Sequence, residues 1–525
     1  MIALGWLTTG GLLQALSLAW PWGGQSLPAL QILAMAILCL QLLRTPNRTT
    51  LFKRAWWFAT VWLLATFWWL FISLHTYGGM PAILAALAVF MLAGALAVYY
   101  ACAALVTLCI TRHQSAMQGP FGHSWAAAAF ASAWTLAEAA RALLFTGFPW
   151  GAVGYAHVDG LLAAFAPWLG VYGVGWLAAF WAMFAALAWH SSQGRSPGRI
   201  TNSVIAVLLL VCVQVPAPLD GAPLGKPLPE LQVHLLQGNI PQSEKFQAST
   251  GIAQALAWYR QELTQVQSGL AIAPETALPL LPQHLPAGYW QGLKEHFTQG
   301  ESAALIGMPW KDTDPNGLPV YSNTAIGWQP GQAHDYRYDK DHLVPFGEFV
   351  PPMFRWFTDG MNMPLSDFKA GGHHPATFDW QGHRIAPHIC YEDLFGEELA
   401  RGFIDPQRAP TVLVNISNIA WFGDSIAIDQ HLNIARMRSM EFQRPMVRAT
   451  NTGMTAVIDH RGEVTAQLPR HQTGVLRTTV QGRDTPPTFF AQWAARWGLW
   501  PLIAICAFIV SWFRWVGRKS EAAGA

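Results

Sequence analysis

Long apolar runs fill the first two-fifths of the chain, and shorter ones, separated by polar segments, fill most of the rest. Seven long runs approach the roughly 20 residues that a bilayer-spanning helix needs. They lie near 3–20, 27–43, 54–74, 81–110, 125–146, 162–190 and 201–215, with an eighth near 495–513. This pattern predicts a polytopic α-helical membrane bundle of eight spans. From Pro216 the pattern changes. Residues 231–240, 270–274, 303–308, 322–328, 385–390, 411–416 and 454–459 read as strands, and 251–266 and 428–442 as amphipathic helices. Strands alternating with helices predict a layered α/β domain. The expected division is a bundle at 1–215, an α/β domain at 216–490 after a Pro-rich linker, and a last span with its tail at 491–525.

The basic residues orient the bundle. Arg44, Arg48, Lys53 and Arg54 lie around one connection, Arg112 in another, Arg195 and Arg199 in a third, and Arg514, Arg518 and Lys519 in the tail. The connections between them, such as 21–26 and 75–80, have none. By the positive-inside rule the basic segments face the cytoplasm, as do both termini, and the α/β domain lies outside. No Lys or Arg precedes the first run, which therefore reads as a span and not as a cleaved signal.

Composition agrees with a membrane protein: 52% hydrophobic residues, 12% charged and 27 Trp. The net charge of +2, without a basic run, argues against a nucleic-acid partner. Within the fifth run Glu138 and Arg141 are three apart and share a helix face. They mark either a site or a structural clamp. Trp150, after Pro149, reads as an interfacial aromatic.

Of six cysteines, Cys39, Cys102, Cys109, Cys212 and Cys506 fall in expected spans, and only Cys390 lies in the α/β domain. It ends an expected strand, with Tyr391, Glu392 and Asp393 just beyond. A free cysteine is often a small buried hydrophobe. In an oxidising compartment, however, a lone thiol with no disulfide partner points to a nucleophile. Such a thiol needs a base and a positive group. Glu275 follows an apolar strand between Pro274 and Pro279, and Lys340 precedes Glu348 by eight positions. No Cys/His spacing suggests a metal, and His373, His374 and His388 read as surface or core residues.

Glu275, Lys340 and Cys390 resemble, in order and context, the Glu-Lys-Cys triad of the nitrilase (carbon–nitrogen hydrolase) superfamily. The motifs are Pro-Glu-Thr at 274–276, Lys-x-His-Leu-Val-Pro-Phe-Gly-Glu at 340–348, Cys-Tyr-Glu at 390–392 and Trp-Phe-Gly-Asp-Ser at 421–425. Gln237–Gln242 and Arg448–Gly453 fit as well. With eight spans, the whole chain looks like the apolipoprotein N-acyltransferase family.

That resemblance implies a four-layer αββα sandwich, no cofactor and a ping-pong acyl transfer in the bacterial inner membrane, with the catalytic domain periplasmic. Glu275 would deprotonate Cys390, which attacks the sn-1 ester of a phospholipid, typically phosphatidylethanolamine. Lys340 would stabilise the oxyanion, and the α-amine of an S-diacylglyceryl-cysteine on an apolipoprotein would take the acyl group. Glu348, Tyr391 and Glu392 match supporting positions, and Asn323, Phe246 and Trp421 match substrate contacts. Phe246 stands where the family favours Trp, and Ile419 where it favours Asp. The segment 349–365, dense in aromatic residues and methionines, would be a lid dipping Trp356 and Phe357 into the lipid, or else a loop packed on its own domain. Two other classes stay open: a membrane-tethered nitrilase-type amidase that accepts water, and a transporter built around Glu138 and Arg141.

Overall fold

The computed structural model describes residues 2–45, 47–112, 122–191, 226–332, 334–350, 368–372 and 376–524. The chain divides into two compact units. One comprises Met1–Trp68, Ile83–Gly221 and Arg496–Ala525, and the other Trp69–Ala82 and Ala222–Ala495.

The first unit is helical: α1 (Ile2–Leu18), α2 (Pro28–Leu43), α3 (Arg48–Thr66), α4 (Ala82–Ala104), α5 (Val106–Arg112), α6 (Gly122–Leu143), α7 (Ala166–Ser191) and a C-terminal helix, Trp500–Gly524. Asn47 caps α3 by accepting from the Thr49 and Thr50 amides, at 2.8 and 3.3 Å. Small residues let the helices approach: a Cβ on Gly11 of α1 would sit 2.8 Å from the Phe58 carbonyl of α3. Among the described residues, Ala82–Cys109 and Leu161–His190 are long and apolar enough to cross a membrane. Phe489–Trp497 and Trp500–Val516 add a third if counted as one broken span. Ile2–Leu18 and Pro28–Leu43 are apolar but shorter. The expected span at 201–215 lies outside the described residues. Where a span was expected at 54–74, the helix begins at Arg48 and stops at Thr66.

Glu138 and Arg141 act as a clamp on backbone. Glu138 accepts from the Val153 amide at 2.8 Å. Arg141 donates to the carbonyls of Phe148 at 3.0 Å and Trp150 at 2.7 Å. The loop after α6 would otherwise leave these polar groups buried without partners.

The second unit contains two six-stranded sheets, ordered β12-β1-β2-β3-β4-β5 and β11-β10-β9-β8-β7-β6. The strands are β1 (Lys226–Gln237), β2 (Gly269–Ile272), β3 (Ser302–Thr313), β4 (Pro319–Trp328), β5 (Tyr336–Asp339), β6 (Phe378–Trp380), β7 (His383–Ile389), β8 (Val412–Ser417), β9 (Met446–Thr450), β10 (Ala456–Ile458), β11 (Val464–Gln467) and β12 (Gly474–Asp484). β1, β2 and β3 run parallel, as do β7, β8 and β9, while the outer strands add antiparallel.

Residue alternation sets the layers. Leu270 and Ile272 of β2 point into a shared core with Ile385, Ile389, Val414 and Val447 of the other sheet. Ala271 and Ala273 point the other way, onto α8 (Ala253–Thr264) and α9 (Tyr289–Gln299). The second sheet is covered by α10 (Ala427–Phe442) and by Phe489–Trp497, through Leu432, Ala435, Phe490 and Ala494. The order is helices, sheet, sheet, helices. It is the period-2 pleat that gives each strand one face for each core.

Candidate active site

The site gathers at strand ends, where a layered α/β fold exposes side chains that its strands cannot bury. Glu275 lies three residues past β2, in a turn where Thr276 has φ 52°. β3 admits that turn only because residue 307 is glycine; a Cβ there would fall 2.4 Å from the Pro274 carbonyl. Lys340 follows β5 directly, its amide donating to the Asn323 carbonyl of β4 at 2.8 Å. Cys390 follows β7 directly, with φ 53°. A non-glycine residue holds that conformation only where its surroundings fix it.

Those surroundings are polar and buried. The Cys390 carbonyl accepts from Asn415 Nδ2 and from His431 Nε2, each at 3.3 Å. Arg448 Nη2 lies 2.9 Å from His431 Nδ1. A guanidinium can only donate, so Nδ1 must be the acceptor and the proton sits on Nε2, facing Cys390. Burial and the Arg448 charge push the His431 pKa down to about 3, which keeps the ring neutral. Asp393 accepts from His388 and from Arg448, the latter at 3.3 Å. Burial alone would raise its carboxyl pKa, but the His388 and Arg448 interactions outweigh that and hold it low. His388 is thus a core residue, as expected from the sequence; His373 and His374 lie outside the described residues.

Lys340 is buried among carboxylates. Its Nζ lies 2.9 Å from Glu348 and 3.5 Å from Glu275. Asn323 Nδ2 donates to both carboxylates, at 2.7 Å each, and the Val344 amide donates to Glu348 at 2.8 Å. Burial would lower the ammonium pKa; Glu348 and Glu275 outweigh it, so the pKa is raised and Lys340 stays charged. The Cys390 thiol moves the unhelpful way. Burial drives its pKa well up, the Glu275 and Glu348 charges add to the rise, and Lys340 opposes it. At neutral pH it is a thiol that needs a base.

Glu392 ties two of these turns together. It accepts from the Asp341 amide at 2.7 Å, the His342 amide at 3.2 Å, the Tyr338 hydroxyl at 2.8 Å and the Ile389 amide. The turn after Lys340 is thereby fixed to the strand that delivers Cys390. Tyr391 is buried and packs against Phe395, ring centroids 5.3 Å apart.

Two groups escaped the sequence reading. The Asn418 amide, just past β8, donates to Glu275 Oε2 at 2.9 Å. The strand-end position that marked Glu275 and Cys390 could have marked it. Lys245 is buried and donates to the Glu275 carbonyl at 3.2 Å. Burial lowers its pKa to about 8, against the pull of Glu275 and Cys390. No sequence signal separated it from a surface lysine.

Other expected contacts lie elsewhere. Phe246 is half-buried in the turn after Lys245. Trp421 belongs to a short 3₁₀ turn, Ile419–Phe422, whose partner is the segment Trp69–Ala82. Ser73 Oγ donates to the Trp421 carbonyl at 2.7 Å, Trp69 packs on Phe422 at 4.2 Å, and Tyr77 lies 5.8 Å from the Trp421 ring. Ile419 is buried. Trp356 and Phe357, with most of the expected lid, lie outside the described residues. Among the described residues no cluster of His, Cys, Asp or Glu is arranged to hold a metal. A thiol, a carboxylate and a fixed cation at adjoining strand ends suit acyl transfer through a covalent intermediate.

Two family models match the chain. The N-terminal domain of apolipoprotein N-acyltransferase covers residues 10–213, and the carbon-nitrogen hydrolase model covers residues 232–486. The chain is 51% identical to an apolipoprotein N-acyltransferase of Verminephrobacter eiseniae, over 99% of this chain and 98% of that protein. It is 42% identical to the enzyme of that name from Ralstonia nicotianae, over 86% and 83%. With the Bordetella bronchiseptica protein of the same name the identity is 39%, over 96% and 95%.

Proposed function

The chain belongs to the apolipoprotein N-acyltransferase family, and from that premise we propose that Cys390 carries the acyl group between donor and acceptor. The enzyme is a bacterial membrane acyltransferase that N-acylates lipoproteins at the last step of their maturation. The donor in this reading is a phospholipid, phosphatidylethanolamine first among candidates. Glu275 takes the thiol proton as Cys390 attacks the sn-1 ester carbonyl, and the Lys340 ammonium faces the negative charge that develops on oxygen. The tetrahedral intermediate collapses to a thioester, and the proton held by Glu275 passes to the departing lysophospholipid hydroxyl. Glu275 is then a carboxylate again and can accept a proton from the diacylglyceryl-cysteine ammonium. The freed amine attacks the thioester. As the C–S bond breaks, Glu275 returns its proton to the leaving sulfur, the second proton lost from nitrogen passes to solvent, and the amide and the free thiol result.

Glu348 and Asn323 keep Lys340 and Glu275 in register, and Glu392 with Tyr391 holds the turn beneath the thiol. The observation that carries the assignment is the buried Glu275–Lys340–Glu348–Asn323 cluster, whose charges act on the Cys390 thiol. Phe246 and Trp421 are assigned to the lipid or peptide substrates from their match to family positions, and Trp356 and Phe357 from their aromatic character.

Acceptor choice separates this reading from a membrane-tethered amidase. Purified enzyme given phosphatidylethanolamine and a diacylglyceryl-cysteine peptide should yield the N-acyl peptide, with little free fatty acid. Fatty acid released at the same rate with and without peptide would mean that water is the acceptor.

The finer topology is also part of the proposal: eight spans, a bundle at 1–215, a periplasmic domain at 216–490 and a last span with its tail at 491–525, in the inner membrane. The distribution of Lys and Arg supports it. In spheroplasts of a cysteine-depleted variant, an impermeant thiol label should reach Gln332→Cys and not Ser520→Cys. The reverse pattern would invert the map.

A further inference from the structure

The helical unit holds a second feature that acyl transfer does not use. A cavity of about 840 Å³ opens where the start of α1, the first turns of α3 and the end of α4 meet. Its lining includes Phe52, Trp56, Trp57 and Leu105 together with Arg48 and Lys53, and both cations are exposed. The indoles are fixed walls. Trp56 Nε1 donates to the Gly94 carbonyl at 2.8 Å and Trp57 Nε1 to Thr8 Oγ1 at 2.9 Å, so both ring N–H groups are already satisfied within the bundle. A Cβ on Gly94 would lie 3.2 Å from the Trp56 ring, so glycine there is what lets the indole lie close against α4.

Among the described residues the two cations have no carboxylate partner. No Asp or Glu occurs in the chain before Glu138. Glu138 is engaged by the Val153 amide and Asp159 by Ser26. The neighbouring Arg54 is spent on the Gln41 carbonyl and the Thr45 hydroxyl. Among the described residues Arg48 and Lys53 have no such partner. An open, mainly apolar groove of ligand size that also carries two exposed cations suits a long apolar ligand with an anionic head. Scattered topogenic charge would account for the cations but not for the aromatic groove that they share.

We propose that this cavity is a specific site for an anionic phospholipid, its phosphate head between Arg48 and Lys53 and an acyl chain along Phe52, Trp56 and Trp57. The basic end of the bundle is the one assigned to the cytoplasmic side, so the lipid comes from that leaflet and is neither donor nor product of the Cys390 chemistry. The site is independent of that chemistry and stands or falls separately.

Diether lipids, which have no ester to cleave, allow a direct test. Full-length delipidated protein in detergent is titrated with diether phosphatidylglycerol or diether phosphatidylcholine and followed by native mass spectrometry. Wild type should retain phosphatidylglycerol selectively. Arg48→Gln with Lys53→Gln should weaken that lipid roughly 20- to 30-fold, leave phosphatidylcholine unchanged and leave acyl transfer in detergent intact. Should the double variant not fold, Lys53→Gln alone should lose part of the selectivity. Equal retention of the two lipids by wild type, or unchanged phosphatidylglycerol binding in the variants, would overturn the site. Inorganic phosphate at millimolar concentration displacing the lipid completely would overturn its assignment to a lipid.

Discussion

Replacing Cys390 with alanine should abolish transfer, by on the order of 10⁴-fold or more, while the protein remains folded and inserted in the membrane. The side chain is small, and the turn that holds it is anchored through its backbone carbonyl by Asn415 and His431, so removing sulfur leaves that frame in place. Cys390→Ser should be almost as inactive. The same burial and carboxylates that raise the thiol pKa act on a hydroxyl, which ionises far less readily to begin with. Transfer assays on detergent-purified variants with matched melting curves measure this directly. Turnover by either variant near the wild-type rate would remove Cys390 as the nucleophile.

The second large effect belongs to Lys340→Met. Loss of one donor to an oxyanion costs about 10²–10³ in rate, and here a second loss accompanies it. Lys340 is the cation that opposes the rise in the Cys390 pKa, while burial, Glu275 and Glu348 all drive it. Without Lys340 the folded-state thiol pKa climbs further, so less thiolate exists at any pH below it. Alkylation of Cys390 by iodoacetamide should therefore slow near neutral pH and recover only at higher pH, alongside the fall in thioester formation. A Lys340→Met protein alkylated as fast as wild type across that range would show that Lys340 does not set the ionisation.

The strands legible in the sequence were mostly those packed on both faces. β1, β2, β3, β4, β7, β8 and β10 each carry enough apolar residues and were read as strands, even where Asn415 or Ser322-Asn-Thr324 interrupts them. The four sheet edges, β5, β6, β11 and β12, were not. β12 reads Gly-Val-Leu-Arg-Thr-Thr-Val-Gln-Gly-Arg-Asp and is largely solvated, as edge strands are. β9 is central yet not legible, because it is only five residues long and Arg448, a full charge, sits at its centre. Only the fold reveals that Asp393 and His431 receive that guanidinium.

The bundle was harder to delimit. Hydropathy extends the third apolar stretch to residue 74, but from Trp69 the chain packs on Phe422 and Trp421 within the catalytic unit. An apolar segment facing protein and one facing lipid have the same composition, so no hydropathy window separates them. At the site, Glu275, Lys340, Glu348 and Cys390 were legible because each follows or closely trails a stiff strand or turn. Lys245 was not, and Asn418, which trails β8 in the same way, goes unmarked. Their importance comes from two hydrogen bonds to Glu275 that join segments far apart in sequence.

The most direct test of the covalent route is the mass of the protein during turnover. Wild-type enzyme incubated with phosphatidylethanolamine alone, then digested and analysed by mass spectrometry, should carry one hydroxylamine-labile acyl group on the peptide containing Cys390. A chase with diacylglyceryl-cysteine peptide should clear that group and deliver it to the peptide amine. An unmodified Cys390 peptide under conditions where N-acyl product still accumulates would contradict the thioester route.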